Sequence, residues 1–442
     1  MYEPGIDWLG THFESDMRML SQAKRVHLGP WLIPGLYAVT AIAASIILPR
    51  IEHYVFPHLK AEASIETSIA IYSSIASGMM ALTGIVFSLT FLMVQFSATA
   101  YSPRLVMWIA RDPVLSHAVG VFSATFLYAI AALEWLDRNN SRKVPFISAL
   151  VVIVLLLTSV AMFVSLIHRI GRLQINRMLI FTGNKGREVI ERLYGPFGPS
   201  LNKIPQDDFR TLAPDQTVLH HGEPRSLESV NVNKLVRLAK EHDAYIKVVT
   251  AIGDTILEGT PLLHIFNAQH PFTEKELSRV LALGAERTFE QDPKYAIRLL
   301  VDIAIRALSP AINDPTTAVQ ALDQIGDLLL RLGGRRLEIG AHPDDSGCIR
   351  LIIPFPSWDD FLHLSFEEIL SYGAKSVQVM RRMRALIADL LTVVPPERRA
   401  GLNYWQGRLQ TSINRSFHDA EEKLSACGED RQGLGVTRRS AA

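Results

Sequence analysis

Four uncharged, mainly apolar runs lie in the first part of the chain, and each is long enough to cross a bilayer as a helix. They lie between Arg25 and Arg50 (24 residues), Glu66 and Arg104 (37), Asp112 and Glu134 (21), and Lys143 and His168 (24). A hydrocarbon core about 30 Å thick is crossed by roughly 20 helical residues. The pattern therefore predicts four transmembrane helices between residues 26 and 167.

The second run, Thr67–Pro103, differs from a plain membrane anchor because small and hydroxyl-bearing residues are mixed with its apolar ones. These residues are Ser73, Ser74, Ser77, Gly78, Thr83, Gly84, Ser88, Thr90, Gln95, Ser97 and Thr99. Such residues let helix backbones approach closely or line a polar path. Close helix packing and pore lining both fit, and the candidate pore-facing side chains are Thr83, Ser88, Thr90 and Gln95.

Lysine and arginine residues flank the four runs unequally. Ten lie near the run ends that share a side with the N-terminus, and five lie near the opposite ends. Because basic flanks tend to stay in the cytoplasm, this bias predicts that both termini and the whole C-terminal half are cytoplasmic. The first 25 residues mix acidic and basic side chains, so they are not expected to be a cleaved signal peptide.

The segment between the second and third runs carries signals for a short helix at the lipid headgroups. Ser102 and Pro103 are typical of a helix start, and Arg104 and Arg111 flank apolar residues that include Trp108. Arginines can meet lipid phosphates while tryptophan lies at the interface, so Arg104, Trp108 and Arg111 are candidate lipid-interface residues. A merely amphipathic linker is the alternative.

After residue 168 the pattern changes to that of an α+β cytoplasmic domain. Short runs predict strands at 217–219, 245–249, 255–257 and 261–266 and a helix at 232–240, which together suggest a small β half-barrel. The turn Gly253-Asp254 followed by Gly259-Thr260-Pro261-Leu262 is similar to that of lipoyl- and biotinyl-like barrels. A modifiable lysine at a hairpin tip is missing, so no cofactor is expected.

A helical cluster is predicted to follow the half-barrel. Helix starts are indicated at Thr273, which forms a capping box with Glu276, and at the two Asp-Pro pairs that begin at Asp292 and Asp314. A strand pair is predicted at 337–339 and 348–354, then helices at 358–372 and 374–393 and a last helix ending near residue 424.

The predicted fold class is membrane α-helical, with four transmembrane helices, followed by the α+β cytoplasmic domain. The predicted segments are an N-terminal cytoplasmic segment (1–25), the membrane domain (26–167), a connecting helix and linker (168–199), the half-barrel (200–270), a mostly helical domain with a short β pair (271–427) and a disordered tail (428–442).

The loop Ser309–Thr317 joins two predicted helices and is the sharpest local feature of the second half. A helix N-terminus with free amides and nearby hydroxyl groups can hold an anion or a nucleotide phosphate. The candidate loop residues are Arg306, Ser309, Asn313, Asp314, Thr316 and Thr317, with Asp302 and Arg306 as a charge pair facing the loop. The alternative is that Ser309, Asn313 and Asp314 only cap helices and tighten a turn.

Several function classes are disfavoured by what the sequence lacks. It contains no Walker loop and none of the His-Glu-x-x-His, Gly-x-Ser-x-Gly or Cys-x-x-Cys motifs, so no enzyme activity is expected. The net charge is +1, without a basic block interleaved with aromatic residues, so no nucleic-acid partner is expected. Only Cys348 and Cys427 occur, and the polar turn with His342, Asp344 and Asp345 is expected to be solvated rather than metal-binding.

Three runs of residues resemble a family of bacterial membrane proteins. They are Leu82–Thr90, Tyr101–Leu105 and Arg306–Ala318, the last containing Ser309-Pro310-Ala311-Ile312-Asn313-Asp314-Pro315. The family is catalogued as a domain of unknown function, number twenty-two fifty-four, and the resemblance extends from about residue 30 to residue 391. It implies four membrane helices, a cytoplasmic domain and a location in the bacterial inner membrane, and it implies no activity.

Two functions follow as hypotheses. The first is a homo-oligomeric ion or small-solute channel, lined by residues 67–96 and gated by the cytoplasmic domain. The alternative is a membrane-anchored sensor or scaffold that binds a small anion or a cytoplasmic protein through the Ser309–Thr317 loop. Leucine at position 83 or 88 should abolish conductance under the first hypothesis and leave ligand binding intact under the second.

Overall fold

The computed structural model describes residues 32–55, 60–61, 64–100, 113–138, 144–170, 175–198, 213–277 and 279–434. The chain divides into two compact units that meet in sequence between Leu173 and Gln174, with residues 100–102 grouped with the second unit. The first unit contains the apolar helices and the second contains a mixed α/β region.

The first unit consists of four long helices, as the sequence predicts. They are α1 (Leu32–Val55), α2 (Ile65–Ala100), α3 (Pro113–Arg138) and α4 (Phe146–Ile170). All four are long and apolar enough to cross a membrane, and the third is the most buried of them within the unit. The two-residue strands β1 (Lys60–Ala61) and β2 (Val144–Pro145) pair in an antiparallel manner, joining the connection after α1 to the connection before α4.

A carboxylate from α1 caps the N-terminus of α4. Glu52 is 4% exposed and accepts hydrogen bonds from the N–H groups of Phe146 (2.5 Å) and Ile147 (3.0 Å). Helix α4 follows Val144-Pro145, which supplies no capping side chain, so a residue distant in sequence satisfies amides that a helix start leaves free.

The second unit begins with helix α5 (Ile175–Leu193) and continues into two sheets. A five-stranded sheet has the order β3-β7-β5-β10-β9, and a three-stranded sheet has the order β6-β4-β8. The strands are β3 (Gln216–Leu219), β4 (Arg225–Val230), β5 (Tyr245–Val248), β6 (Thr255–Ile256), β7 (Pro261–Phe266), β8 (Leu281–Gly284), β9 (Ala341–Pro343) and β10 (Ile349–Ile352). Strand β10 runs parallel to β5, and the other named pairs are antiparallel.

Both sheets contribute to one hydrophobic core, in which Leu227 of β4 packs with Ile246, Ile265 and Leu351 of the larger sheet. Strands β8, β9 and β10 lie outside residues 200–270, so the sheets draw on more of the chain than the sequence interpretation assigned to them. The half-barrel itself stays a prediction.

Among the segments of the second unit that differ from the predictions are the helix at Thr273 and the strand at 337–339. The capping box of Thr273 and Glu276 forms, yet its helix α7 (Glu274–Leu277) has a single turn, because Leu281–Gly284 pairs with β4 as strand β8. The strand predicted at 337–339 lies instead at Ala341–Pro343, where it pairs with β10. In the first case, tertiary strand pairing has overridden a local helix signal.

Helices dominate the rest of the second unit. They are α6 (Val232–Glu241), between β4 and β5, then α8 (Pro293–Ala307), α9 (Pro315–Gly333), α10 (Trp358–Gly373), α11 (Val377–Val393), a 3-10 turn (Pro396–Arg398), α12 (Arg399–Ser416) and α13 (Ala420–Ala426). Helices α8 and α9 pack against each other and against α5, and α10 and α11 cover them further.

The start of the predicted disordered tail is ordered. Asp430 is 1% exposed and accepts from the N–H groups of Gln432 (3.0 Å) and Gly433 (2.9 Å), while the Gln378 side chain donates to the Gly433 carbonyl (2.7 Å). These bonds fix residues 429–434 against α11, and residues 435–442 lie outside the described part of the chain.

The cap on α4 yields a testable prediction. Replacing Glu52 by alanine should lower the free energy of unfolding by about 1–2 kcal/mol, because two part-buried N–H groups at the start of α4 lose their acceptor. The thermal unfolding midpoint of the detergent-purified protein measures this effect. Glu66→Ala is the matched control, since Glu66 is exposed in the first turn of α2. Equal losses in the two variants would contradict the capping role.

Candidate functional site

The second span, α2, has two chemically different faces. One face packs on the other spans: Tyr72 lies in a buried cluster with Tyr128, while Met79 and Val86 lie in a second cluster with Phe122. These inward positions recur at helical spacing, so they hold α2 in the membrane unit through one side only.

The opposite face carries a regular row of mostly small residues, which we call the small-residue stripe. Its members are Ala70, Ser74, Ser77, Ala81, Gly84 and Ser88, and the row continues through Phe91 and Gln95. Steps of four and three residues alternate along it, the spacing at which a helix presents one seam to a neighbouring helix. Every member is exposed within the chain, and a Cβ placed on Gly84 would meet no heavy atom within 4 Å.

The four candidate pore-facing side chains divide between these two faces. Ser88 and Gln95 belong to the small-residue stripe and are exposed. Thr83 and Thr90 are half-buried on the packed side, and their hydroxyls donate to the Met79 and Val86 carbonyls of the same helix, each at 2.7 Å. Five positions separate Thr83 from Ser88, about 140° around the helix axis. The structure therefore brings together two of the four.

In the sequence, the stripe is visible in the regular spacing of small residues and not in the positions of polar residues. A search for polar residues selects Thr83 and Thr90 and passes over Ala70, Ala81 and Gly84. Counting small residues at alternating steps of four and three identifies the face without knowledge of the structure. Which face the other spans cover could be known only from the packing.

The Ser309–Thr317 loop forms a tight connection between α8 and α9. Asn313 adopts a left-handed backbone with φ of 49°, and its N–H donates to the Ser309 carbonyl at 2.9 Å. The Asp314 N–H donates to the Ala307 carbonyl at 2.7 Å. Asparagine tolerates this backbone region better than most residues, so Ser309, Asn313 and Asp314 make the turn that the alternative interpretation describes.

The start of α9 already carries a carboxylate. Asp314 accepts from the Thr317 N–H (3.1 Å) and from the Thr317 hydroxyl (2.5 Å), and Thr317 is 4% exposed. An external anion would have to compete with this cap for Thr317. Thr316 is exposed, and Arg306 is partly exposed on the last turn of α8.

Asp302, which was expected to face the loop beside Arg306, also takes part in an ion-pair network within the helical cluster. Arg298 donates to Asp302 (2.7 Å) and binds both oxygens of Glu368 on α10 (2.8 and 2.7 Å). The hydrogen bonds to Glu368 and Asp302 hold the pKa of Arg298 above its usual range, and Arg298 in turn lowers the pKa of Glu368. The network ties α8 to α10.

The candidate lipid-interface residues stay a prediction. Arg104, Trp108 and Arg111 lie in residues 101–112, outside the described part of the chain. Within the described residues, no three His, Cys, Asp or Glu side chains form a group that could hold a metal ion.

Comparison with known proteins places the chain among uncharacterised membrane proteins. Two similar curated proteins, one from Mycobacterium bovis and one from Mycobacterium tuberculosis, are described as uncharacterized. Each is 26% identical to this chain over 381 residues, which cover 83% of this chain and 72% of the relative. No solved structure matches the chain significantly. A family model described as "Predicted membrane protein (DUF2254)" matches residues 29–389, and the chain therefore belongs to this family.

Proposed function

We propose that the chain forms a homo-oligomeric pore for an ion or a small solute in the bacterial inner membrane. The second spans of several copies would surround a common axis, and both termini and the second unit would lie in the cytoplasm. The observation that carries this proposal is the small-residue stripe, which faces away from the other spans and is exposed along its whole length.

The physics of helix association in lipid explains why an exposed stripe of this kind matters. Lipid tails solvate apolar side chains as well as a neighbouring helix does, so helix contacts in a membrane depend on close backbone approach and polar groups. Ala81 and Gly84 permit such an approach, and Ser77 and Ser88 add hydroxyl groups to the same face. Stripes that meet around the common axis would let the copies approach closely there and would leave hydroxyl groups along that axis.

The charge pattern favours a pore over a coupled transporter. No charged residue occurs between Glu66 and Arg104, whereas coupled transporters commonly keep ionisable residues near mid-membrane. The proposal includes no catalytic role, no cofactor and no nucleic-acid partner.

Gating by the second unit is the remaining part of the proposal, and helix α5 supports it. Helix α5 follows the fourth span in sequence and is held firmly within the second unit. Arg187 binds Asp327 (2.5 Å) and Gln324 (2.8 Å) of α9, and a Cβ on Gly186 would lie 2.8 Å from Leu328. A rearrangement of α9 would therefore move α5, the helix that follows the fourth span in sequence.

Conductance of a stripe variant tests the pore. Ser88→Leu should reduce single-channel conductance in planar bilayers at least about tenfold, because a leucine would fill a face that hydroxyl and small groups keep open. Thr158→Leu is the matched control, since Thr158 is exposed on the fourth span and donates to its own helix (2.7 Å). The control should conduct as the unmodified protein does.

Native mass spectrometry of the same variants separates pore lining from helix packing. An intact Ser88→Leu oligomer without conductance supports a lined pore, whereas loss of the oligomer assigns the stripe to packing between copies. A monomeric unmodified protein, or silence of the unmodified protein across ions and membrane tension, would contradict the proposal.

The alternative proposal, a sensor or scaffold acting through the Ser309–Thr317 loop, has its own test. Asp314→Ala should lower the free energy of unfolding by about 1 kcal/mol, because α9 loses its N-cap and the Thr317 N–H loses its acceptor. Thr316→Ala should change it by less than about 0.5 kcal/mol, because the side chain is exposed. If the loop binds anions, inorganic phosphate should raise the unfolding midpoint of the unmodified protein and not that of Thr316→Ala.

A further inference from the structure

Two helices of the second unit begin with the same dipeptide, and the two aspartates behave differently. Helices α8 and α9 start at Asp292-Pro293 and Asp314-Pro315, and both aspartates occupy the N-cap position. Asp314 caps α9 with its side chain, as this sequence pattern predicts, whereas Asp292 makes no side-chain cap hydrogen bond. The Asp292 carboxyl group therefore does not serve as a cap for α8.

Asp292 is buried against groups that do not satisfy it. Asp292 is 2% exposed, and neither of its carboxyl oxygens has a hydrogen-bond partner among the described residues. The buried hydroxyl of Tyr194, on the segment after α5, also has no partner there. Tyr194 lies close enough to Asp292 for the two groups to interact electrostatically.

Arg287 lies between Asp292 and the turn at Gly253. Its Nε donates to the Gly253 carbonyl at 2.5 Å and lies 3.6 Å from the Asp292 Oδ2 atom. Gly253 has φ of 86°, and a Cβ there would come within 2.2 Å of Asp292 Oδ2. The turn, the arginine and the carboxyl group are therefore packed in direct contact, with one guanidinium near two acceptors.

Several charged and titratable groups of the described residues lie around this junction. They are Arg287 and Glu290 before α8, Lys294 in its first turn, Tyr194 and Arg192 at the end of α5, and Asp254 in the turn. Arg192 donates to the Glu290 carbonyl, and Asp254 accepts from the Ala251 N–H at 3.0 Å. Arg287 is thus the cation nearest to the buried carboxyl group.

We propose that Asp292 is a proton-controlled switch that decides whether Arg287 holds the Gly253 turn or binds the Asp292 carboxylate. With Asp292 neutral, Arg287 donates to the Gly253 carbonyl and the turn stays closed. When Asp292 loses its proton, the buried negative charge competes for the guanidinium, because an unpaired buried charge is far more costly than a lost neutral acceptor. The Gly253 carbonyl then loses its donor and the turn loosens.

The direction of the pH effect follows from the environment of the group. Burial raises the pKa of Asp292, against the opposing influence of Arg287 and Lys294. A group whose pKa is raised by folding stabilises the closed state below its ordinary pKa, and this stabilisation is lost as pH rises through the raised value. Acidification therefore closes the junction and a rise in pH opens it.

Hydrogen exchange of the full-length protein in lipid nanodiscs tests the switch. The Gly253 N–H donates to the Leu227 carbonyl at 2.8 Å, so its exchange reports on closure of the turn. After correction for intrinsic exchange, protection of residues 251–254 should fall by up to about tenfold for each pH unit between the ordinary and raised pKa values, since opening releases one proton. Asp292→Asn, which stays neutral, should keep the turn protected at every pH.

Two further variants complete the test. Asp314→Asn is the matched control, because it alters the other Asp-Pro start, and it should retain the pH dependence of the unmodified turn. Arg287→Gln should leave the turn weakly protected at all pH values, because the donor to Gly253 is gone. If Asp292→Asn fails to fold, protection of the Gly253 turn in Arg287→Gln still tests the switch. Protection that does not change between about pH 5 and about pH 8, or that persists at low pH in Arg287→Gln, would overturn the proposal.

Discussion

Helix association in lipid is the physical constraint on which the account of the membrane unit depends. Because lipid solvates apolar side chains, the large residues of a span do not by themselves draw a second copy to it. On the second span, the residues that pack within the chain and the small residues that stay exposed lie on opposite faces. Its inward face, with Tyr72, Met79 and Val86, joins it to the other spans, and its small-residue stripe remains uncovered within the chain. In the proposed oligomer, the second spans of other copies cover that face.

In both units, carboxylates accept hydrogen bonds from free amides at the starts of helices. Glu52 supplies a cap to α4 from a distant part of the sequence, and Asp314 supplies one to α9 from the adjacent position. Asp292 has the same local sequence as Asp314 and makes no cap. Since free helix amides and buried carboxyl groups both need partners, the exception marks the place where a proton can change which groups pair.

The elements were predicted well where the signal lay in neighbouring residues, and poorly where it depended on contacts with distant parts of the chain. The four long apolar helices and the helix starts at Pro293 and Pro315 follow from hydropathy and from Asp-Pro pairs, and the structure confirms them. Strands β4 and β8 were missed, and the helix predicted to start at Thr273 has a single turn, because β4 and β8 stabilise each other across residues that no local pattern links. Thr83 was grouped with Ser88 for the same reason, since composition does not reveal which side of α2 the other spans cover.

Cysteine cross-linking in native membranes tests whether the small-residue stripe lies between copies of the chain. Ser88→Cys and Thr83→Cys would be compared in a background in which Cys348 and Cys427 are replaced by serine. We predict cross-linked oligomers for the cysteine at position 88 and few for that at position 83, which faces the other spans. Equal cross-linking at both positions, or none at position 88 with short bifunctional reagents, would contradict it.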